Sequence, residues 1–365
     1  MKKKGLLVLA VLVLLLAFGA WGCGEEAPVP DDVDEDAPEE TTDPAEDVEH
    51  PVRLATIMPG SVQDADYNTL GYTAVEAVHG EFGIEPAFSE RVAVPDAKRV
   101  MQEYIDAGFN AIWVHGSQFN SYAFELAEEH PDVSFIVEVD MIPDDMFDNV
   151  WYMNRNFYTG FYVLGALAAN VTETDHIGWV GGLALAFTIG EINAIQQALV
   201  DQGREDIKLS YIYVGDFNDP VGTRQAAESL IANDVDVIIS SVNEGNYGLF
   251  NAVEETEKAV YITTKYTDKQ SLAPDNYLTT DGFDFSLPLI EAVENISQGQ
   301  MGGVLDLNYG KEGEAPRYTI FPIANVDDEI NDMIMQVAQD VEDGTIVVEM
   351  EMSEILEIVA VEEEE

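Results

Sequence analysis

The chain has 365 residues, with 70 Asp or Glu against 16 Lys or Arg, for a formal charge of −54 at pH 7. Such a surface repels phosphate backbones and anionic head groups, which excludes nucleic acid as a partner. One cysteine, Cys23, leaves no basis for a disulfide framework.

Lys2, Lys3 and Lys4 precede an apolar run over 6–18, and Ala20-Trp21-Gly22 then leads into Cys23. A basic start, a short apolar core and small residues before a cysteine read as a secretory signal with a lipid-acceptor Cys23. The run falls short of the roughly 20 residues that span a bilayer. The expectation is a signal peptide over 1–23 and a chain held outside the cell membrane by an acylated Cys23. An uncleaved anchor helix, or a plain signal with a bystander cysteine, also leaves the domain outside. In residues 24–50, 13 of 27 are acidic, four are proline and none is basic. That segment cannot bury enough apolar surface to fold, so it reads as a disordered, self-repelling spacer. The acid excess continues through the rest of the chain. It suits concentrated salt, where screening shortens self-repulsion, or an ordinary acidic extracellular protein.

From 51 onward, short apolar runs alternate with amphipathic ones. Strands are predicted at 52–58, 86–94, 111–114 and 133–139, with helices at 68–82, 97–107 and 122–129. The rhythm restarts with a helix over 158–170, whose Gly160, Gly165, Ala166, Ala168 and Ala169 permit close packing. A strand at 176–180, a helix at 187–202 and a strand at 208–214 follow. Asp219-Pro220 then opens a helix to 232, with Asp as N-cap and Pro at the first position. Next come a strand at 235–240, a helix at 247–257 and a strand at 259–263. Helices at 285–299 and 329–341, a strand at 344–348 and an acidic tail over 351–365 complete the chain. About 300 residues exceed one ordinary core. The pattern predicts an α/β fold of two doubly wound parallel-sheet lobes, with ligand where the carboxyl ends of the strands face each other.

Several stretches, in order, resemble the basic membrane protein family of substrate-binding lipoproteins that serve ATP-driven (ABC) importers. They are Gly60-Ser61-Val62-Gln63-Asp64-Ala65-Asp66-Tyr67-Asn68, Asn154-Arg155-Asn156-Phe157-Tyr158-Thr159-Gly160, Ile177-Gly178-Trp179-Val180-Gly181-Gly182 and Tyr213-Val214-Gly215-Asp216-Phe217-Asn218-Asp219-Pro220. Asp234-Val235-Asp236-Val237-Ile238 and Asp268-Lys269-Gln270-Ser271-Leu272-Ala273-Pro274 follow in register. The resemblance implies a type I periplasmic-binding-protein fold with a three-segment hinge near 154–160, 279–285 and 318–325. Lobe 1 would then comprise 51–157 and 282–320, and lobe 2 would comprise 158–281 and 321–350. It also implies a small purine-type ligand, an importer permease as partner and no cofactor. A monomer is expected.

The resemblance puts Tyr67 and Phe217 where aromatics stack on the two faces of a purine. Each ring could equally pack in a core. Asp64 and Asp66 either accept bonds from ligand or cap the following helix. Ser117 and Gln118, after Gly116, suit hydrogen bonding to a base edge. Asp219 reads as a cap. The family's ribose-gripping aspartate and lysine fall near Tyr266 and Phe283, and neither residue type is kept. Either Lys265 or Asp281 substitutes from next door, or the pocket takes a free base or another flat heterocycle and has no sugar to grip.

No pair of the five histidines (His50, His79, His115, His130, His176) has metal-binding spacing, and no nucleophile elbow or phosphate loop is present. His115 beside Ser117 lacks a third, orienting group. The reading is a binding protein, not an enzyme, with no metal. The alternatives are a sensory receptor presenting ligand to a signalling partner, and an adhesive lipoprotein with no small ligand.

Overall fold

The computed structural model describes residues 50–356. The expected signal peptide with Cys23, nearly all of the expected spacer and residues 357–365 lie outside the described residues.

The first half builds β1 (Leu54–Ile57), α1 (Tyr67–Phe82), β2 (Phe88–Ser89), α2 (Ala97–Asp106), β3 (Ala111–Val114), α3 (Asn120–Glu129), β4 (Ser134–Val139) and β5 (Val150–Asn154). β1, β3 and β4 are buried along their whole length. That burial is why β3 reads as an unbroken apolar run and β1 nearly so, while β4 also buries Ser134 and Glu138. α1 stops at Gly83, whose φ of 70° lies in the left-handed region that favours glycine.

The second half adds α4 (Phe157–Val171), β6 (His176–Gly181), α5 (Ala186–Asp201), β7 (Lys208–Tyr213), α6 (Pro220–Ala232), β8 (Val237–Ser241), α7 (Asn246–Glu255), β9 (Tyr261–Tyr266) and β10 (Tyr277–Phe283). Asp219 caps α6 through the Val221 amide, with Pro220 at the first position. α4 and α5 pack closely because a Cβ on Gly165 would lie 2.9 Å from the Ile195 Cα. The remainder is α8 (Ser286–Ser297), β11 (Gly303–Asp306), β12 (Arg317–Thr319) and α9 (Asp328–Glu342).

Two six-stranded sheets result. The first runs β11-β5-β4-β3-β1-β2 and is parallel throughout. The second runs β12-β10-β9-β8-β6-β7 and is parallel apart from β12. Each sheet with its helices forms a lobe, and the chain passes between them at 154–157, 283–286 and 306–317.

Three sequence expectations need correction. The third passage precedes 317 instead of falling near 318–325, because Arg317–Thr319 pairs with β10 in the second sheet. Residues 317–320 therefore leave the first lobe. The extended run expected over 86–94 shortens to a two-residue edge strand. The strand expected at 344–348 does not form. The chain instead runs along α5, where Gln197 donates to the Val347 carbonyl and accepts from the Glu349 amide. Asn193 donates to the Glu351 and Glu354 carbonyls. Residues 351–356 are thus tied to the second lobe, while residues 357–365 of the expected acidic tail lie outside the described residues.

Candidate functional site

Seven of the loops and strand ends that face the cleft supply its walls, and all lie at carboxyl ends of strands. They enclose a cavity of about 190 Å³ whose lining includes Tyr67, Ser117, Gln118, Arg155, Phe217 and Tyr266. Phe187, Asn218 and Asn243 complete the second-lobe side.

On the first lobe, Tyr67 is clamped from three directions. Its ring stacks on His115 at 3.9 Å and 17°. Its hydroxyl donates to Glu138 Oε2 at 2.6 Å. His115 lies 2.6 Å from the other Glu138 oxygen, and its Nε2 donates to the Tyr67 carbonyl at 2.9 Å. Burial works to raise the Glu138 carboxyl, but His115 and Arg155 outweigh it and hold it below its ordinary value. Burial pushes the Tyr67 phenol well up, so it stays a donor. A Cβ on Gly71 would lie 2.7 Å from the imidazole, so only glycine leaves room for this stack.

On the second lobe, Phe217 stacks on Phe187 with centroids 6.0 Å apart and planes 21° apart. A Cβ on Gly182 would meet the Phe217 ring at 2.5 Å. Arg155 lies over the rings of Phe157 and Phe187, at 4.5 and 5.2 Å. It is held by Asp140. Around the edge, the side chains of Ser117, Gln118, Asn218 and Asn243 have no hydrogen-bond partner among the described residues. The lining is therefore two aromatic layers, a neutral rim able to donate and accept, and one guanidinium. No carboxylate lines it.

The sequence-predicted residues divide accordingly. Tyr67, Phe217, Ser117, Gln118 and Tyr266 line the cavity. Asp64, Asp66, Lys265, Asp281 and Phe283 do not, and each has a reason. Asp64 is occupied as the anchor of α1, accepting from the amides of Asp66, Asn68 and Thr69 and from the side chains of Asn68 and Thr69. Asp66 is paired with Lys269 at 2.6 Å. Lys265 is paired with Glu191 at 2.5 Å, in a cage where its Nζ lies 3.7 Å from the Phe157 centroid. Burial pushes the Lys265 amine down and the Glu191 carboxyl up. Asp281 is paired with Arg317 at 2.5 Å, both fully buried. Phe283 packs among Phe157, Tyr266 and Phe285. Arg155, Phe187 and Asn243 are cavity residues that the sequence reading missed. Asn243 has a usable signal, since it follows the buried strand β8.

Burial pushes the Asp66 carboxyl up to about 7, against the opposing pull of Lys269. A raised folded value means that the native state holds a proton the unfolded chain has released. Between about pH 4 and 7 the Asp66 contribution to stability therefore falls as pH rises. Denaturation midpoints at pH 5 and 7.5 should fall more steeply for the wild type than for Asp66→Asn. Parallel slopes would remove Asp66 as the source.

The profile described as "ABC transporter substrate-binding protein PnrA-like" matches residues 52–312. Basic membrane protein A2 of Borrelia garinii is 28% identical over 269 residues, covering 72% of this chain and 78% of that protein. A purine-binding protein of Brucella abortus is 25% identical over 198 residues, covering 54% of each. The solute-binding protein of an ABC transporter system from Aeropyrum pernix K1 superposes with a TM-score of 0.69 at 16% identity, covering 82% of this chain and 94% of that one. That likeness identifies the architecture as the type I periplasmic-binding-protein fold. With the profile spanning most of the chain, this protein belongs to the Bmp family, extracytoplasmic substrate-binding proteins of ABC transporters that take a small molecule to a permease and are not enzymes.

Proposed function

We propose that the protein captures a free purine-type base between its lobes and delivers it to its importer while anchored to the membrane through a lipid on Cys23. The observation that carries the ligand class is the meeting of Tyr67 and Phe217, one from each lobe, on a single cavity. A flat ring with apolar faces and polar edges complements two aromatic layers and an amide rim. Stacking contributes about 1–3 kcal/mol per aromatic partner. Because the rings come from opposite lobes, both engage only on closure, which couples capture to the hinge motion. The purine-binding relative in Brucella abortus is consistent with this class.

A base is favoured over a nucleoside for two reasons. The cavity of about 190 Å³ is smaller than the roughly 300–1,000 Å³ of drug-sized pockets. Lys265 and Asp281, the residues nearest the family's ribose-gripping positions, are committed to buried ion pairs. The acidic surface is read as an adaptation to concentrated salt, and the segment over 24–50 as the spacer between lipid and domain.

Thermal unfolding in molar salt, against a panel of bases and their nucleosides, tests the reading. A base at a hundred times its Kd should add about 2.7 kcal/mol of stability. The matching nucleoside should add far less at the same concentration. No shift with any purine would remove the ligand class, and a nucleoside preference would overturn the choice of base.

A further inference from the structure

Beside the cavity, the lobes are joined by buried polar groups that belong to neither wall. Asp66 lies in the loop between β1 and α1 of the first lobe, next to Tyr67. Lys269 lies in the loop after β9 of the second. Lys269 Nζ donates to Asp66 Oδ1 at 2.6 Å, and the two residues are 7% and 1% exposed. Thr267 Oγ1 donates to the Ala65 carbonyl at 2.8 Å and accepts from Lys269 at 3.0 Å. Each half of the contact is built within its own lobe. The Asp64 anchor fixes the first loop to α1. The Lys265 and Thr267 carbonyls hold the ammonium from the second. Neither loop belongs to the three interlobe passages, so the contact can break when the lobes part without deforming either one.

The backbone on both sides is held in a costly conformation. Ala65 has φ 58° and Tyr266 has φ 76°, each a non-glycine residue in the left-handed region. Such conformations persist where surrounding contacts over-determine them, and they cluster at clamps and switches. Tyr67 and Tyr266, which flank the contact in sequence, bring their rings within 5.5 Å of each other. The contact therefore fixes one cavity residue from each lobe. A buried pair is also screened much less by salt than a surface pair.

We propose that Asp66 and Lys269 form a cross-lobe latch, positioning residues that hold the Tyr67 loop against the second lobe and set how long a captured solute stays. The residence-time part rests on the base-capture reading, whereas the latching of the lobes does not.

Two measurements on the full chain separate these. Stopped-flow binding of adenine and hypoxanthine at about pH 8.5, where Asp66 is ionised, should show Lys269→Met dissociating at least about tenfold faster, because truncating a buried charge pair acts on dissociation. Association should change less than threefold, and Lys269→Arg should restore most of the residence time. Asp66→Asn, which keeps the side-chain shape, serves as the second variant if Lys269→Met fails to fold. The double variant should be no worse than the poorer single one, as partners in one pair are non-additive. Small-angle scattering without ligand should give a larger radius of gyration for either variant than for the wild type. Unchanged dissociation, or additive effects, would overturn the residence role. An unchanged radius of gyration would overturn the latch. If the wild type binds neither base, the ligand reading fails and scattering alone decides the latch.

Discussion

Replacing Arg317 with methionine is expected to lower the unfolding free energy by about 3–5 kcal/mol, the usual cost of removing one partner of a buried ion pair. Arg317 is fully buried. It donates to both Asp281 oxygens at 2.7 and 2.5 Å, to the Phe157 carbonyl at 3.1 Å, and to the carbonyl of Asn156. Its guanidinium lies 4.5 Å from the Phe283 ring centroid. One side chain therefore ties the first interlobe passage to β10 and to the end of the third. Burial already pushes the Asp281 carboxyl up, and the arginine opposes that shift. Without the arginine, Asp281 is left as a buried acid opposed only by the Lys265 ammonium, which is itself paired with Glu191. Denaturant titration reads the change directly. Adding Asp281→Asn should recover part of the loss, since the penalty is an uncompensated charge. A single variant within 1 kcal/mol of wild type would show that the pair is dispensable.

Phe217→Ala is expected to weaken base binding by roughly 5- to 150-fold, the equivalent of about 1–3 kcal/mol of stacking. The effect on folding should be small. Phe217 is only half-buried, lies in the loop between β7 and α6, and rests mainly against Phe187. Tyr67→Ala is the less clean experiment, because it also removes the hydroxyl that donates to Glu138 and the ring stacked on His115 in a buried network. Calorimetric titration with whichever base stabilises the wild type gives the ratio. Unchanged affinity would take Phe217 out of the site and with it the idea of stacking from both lobes.

The lobes were legible because their central strands are covered on both faces, so Ala111-Ile112-Trp113-Val114 announces itself without any partner in view. β11 and β12 carry no such mark. They are short, and β11 is half open to solvent at the sheet edge. Only pairing with residues far away in sequence makes either a strand, which is why the third passage was misplaced. The site divides along the same line. Tyr67 and Phe217 follow strands that the pattern finds, and loops after strands face the cleft. Lys265 and Asp281 sit in equally promising places. Their partners, Glu191 and Arg317, are 74 and 36 residues distant, and nothing local says that those charges are already matched. Arg155 offers no local signal, since its place in the cavity depends on how Asp140 and two aromatic rings converge on it.

In a chain this short of cations, four of the sixteen basic residues, Arg155, Lys265, Lys269 and Arg317, are buried about the cleft and hinge. The exterior carries most of the carboxylates, and ionic strength sets how strongly they repel one another. The interior ionic contacts are out of reach of dissolved ions. Changes in ionic strength should accordingly act on surface repulsion, and through it on solubility and overall stability, far more than on the buried contacts that hold the lobes together.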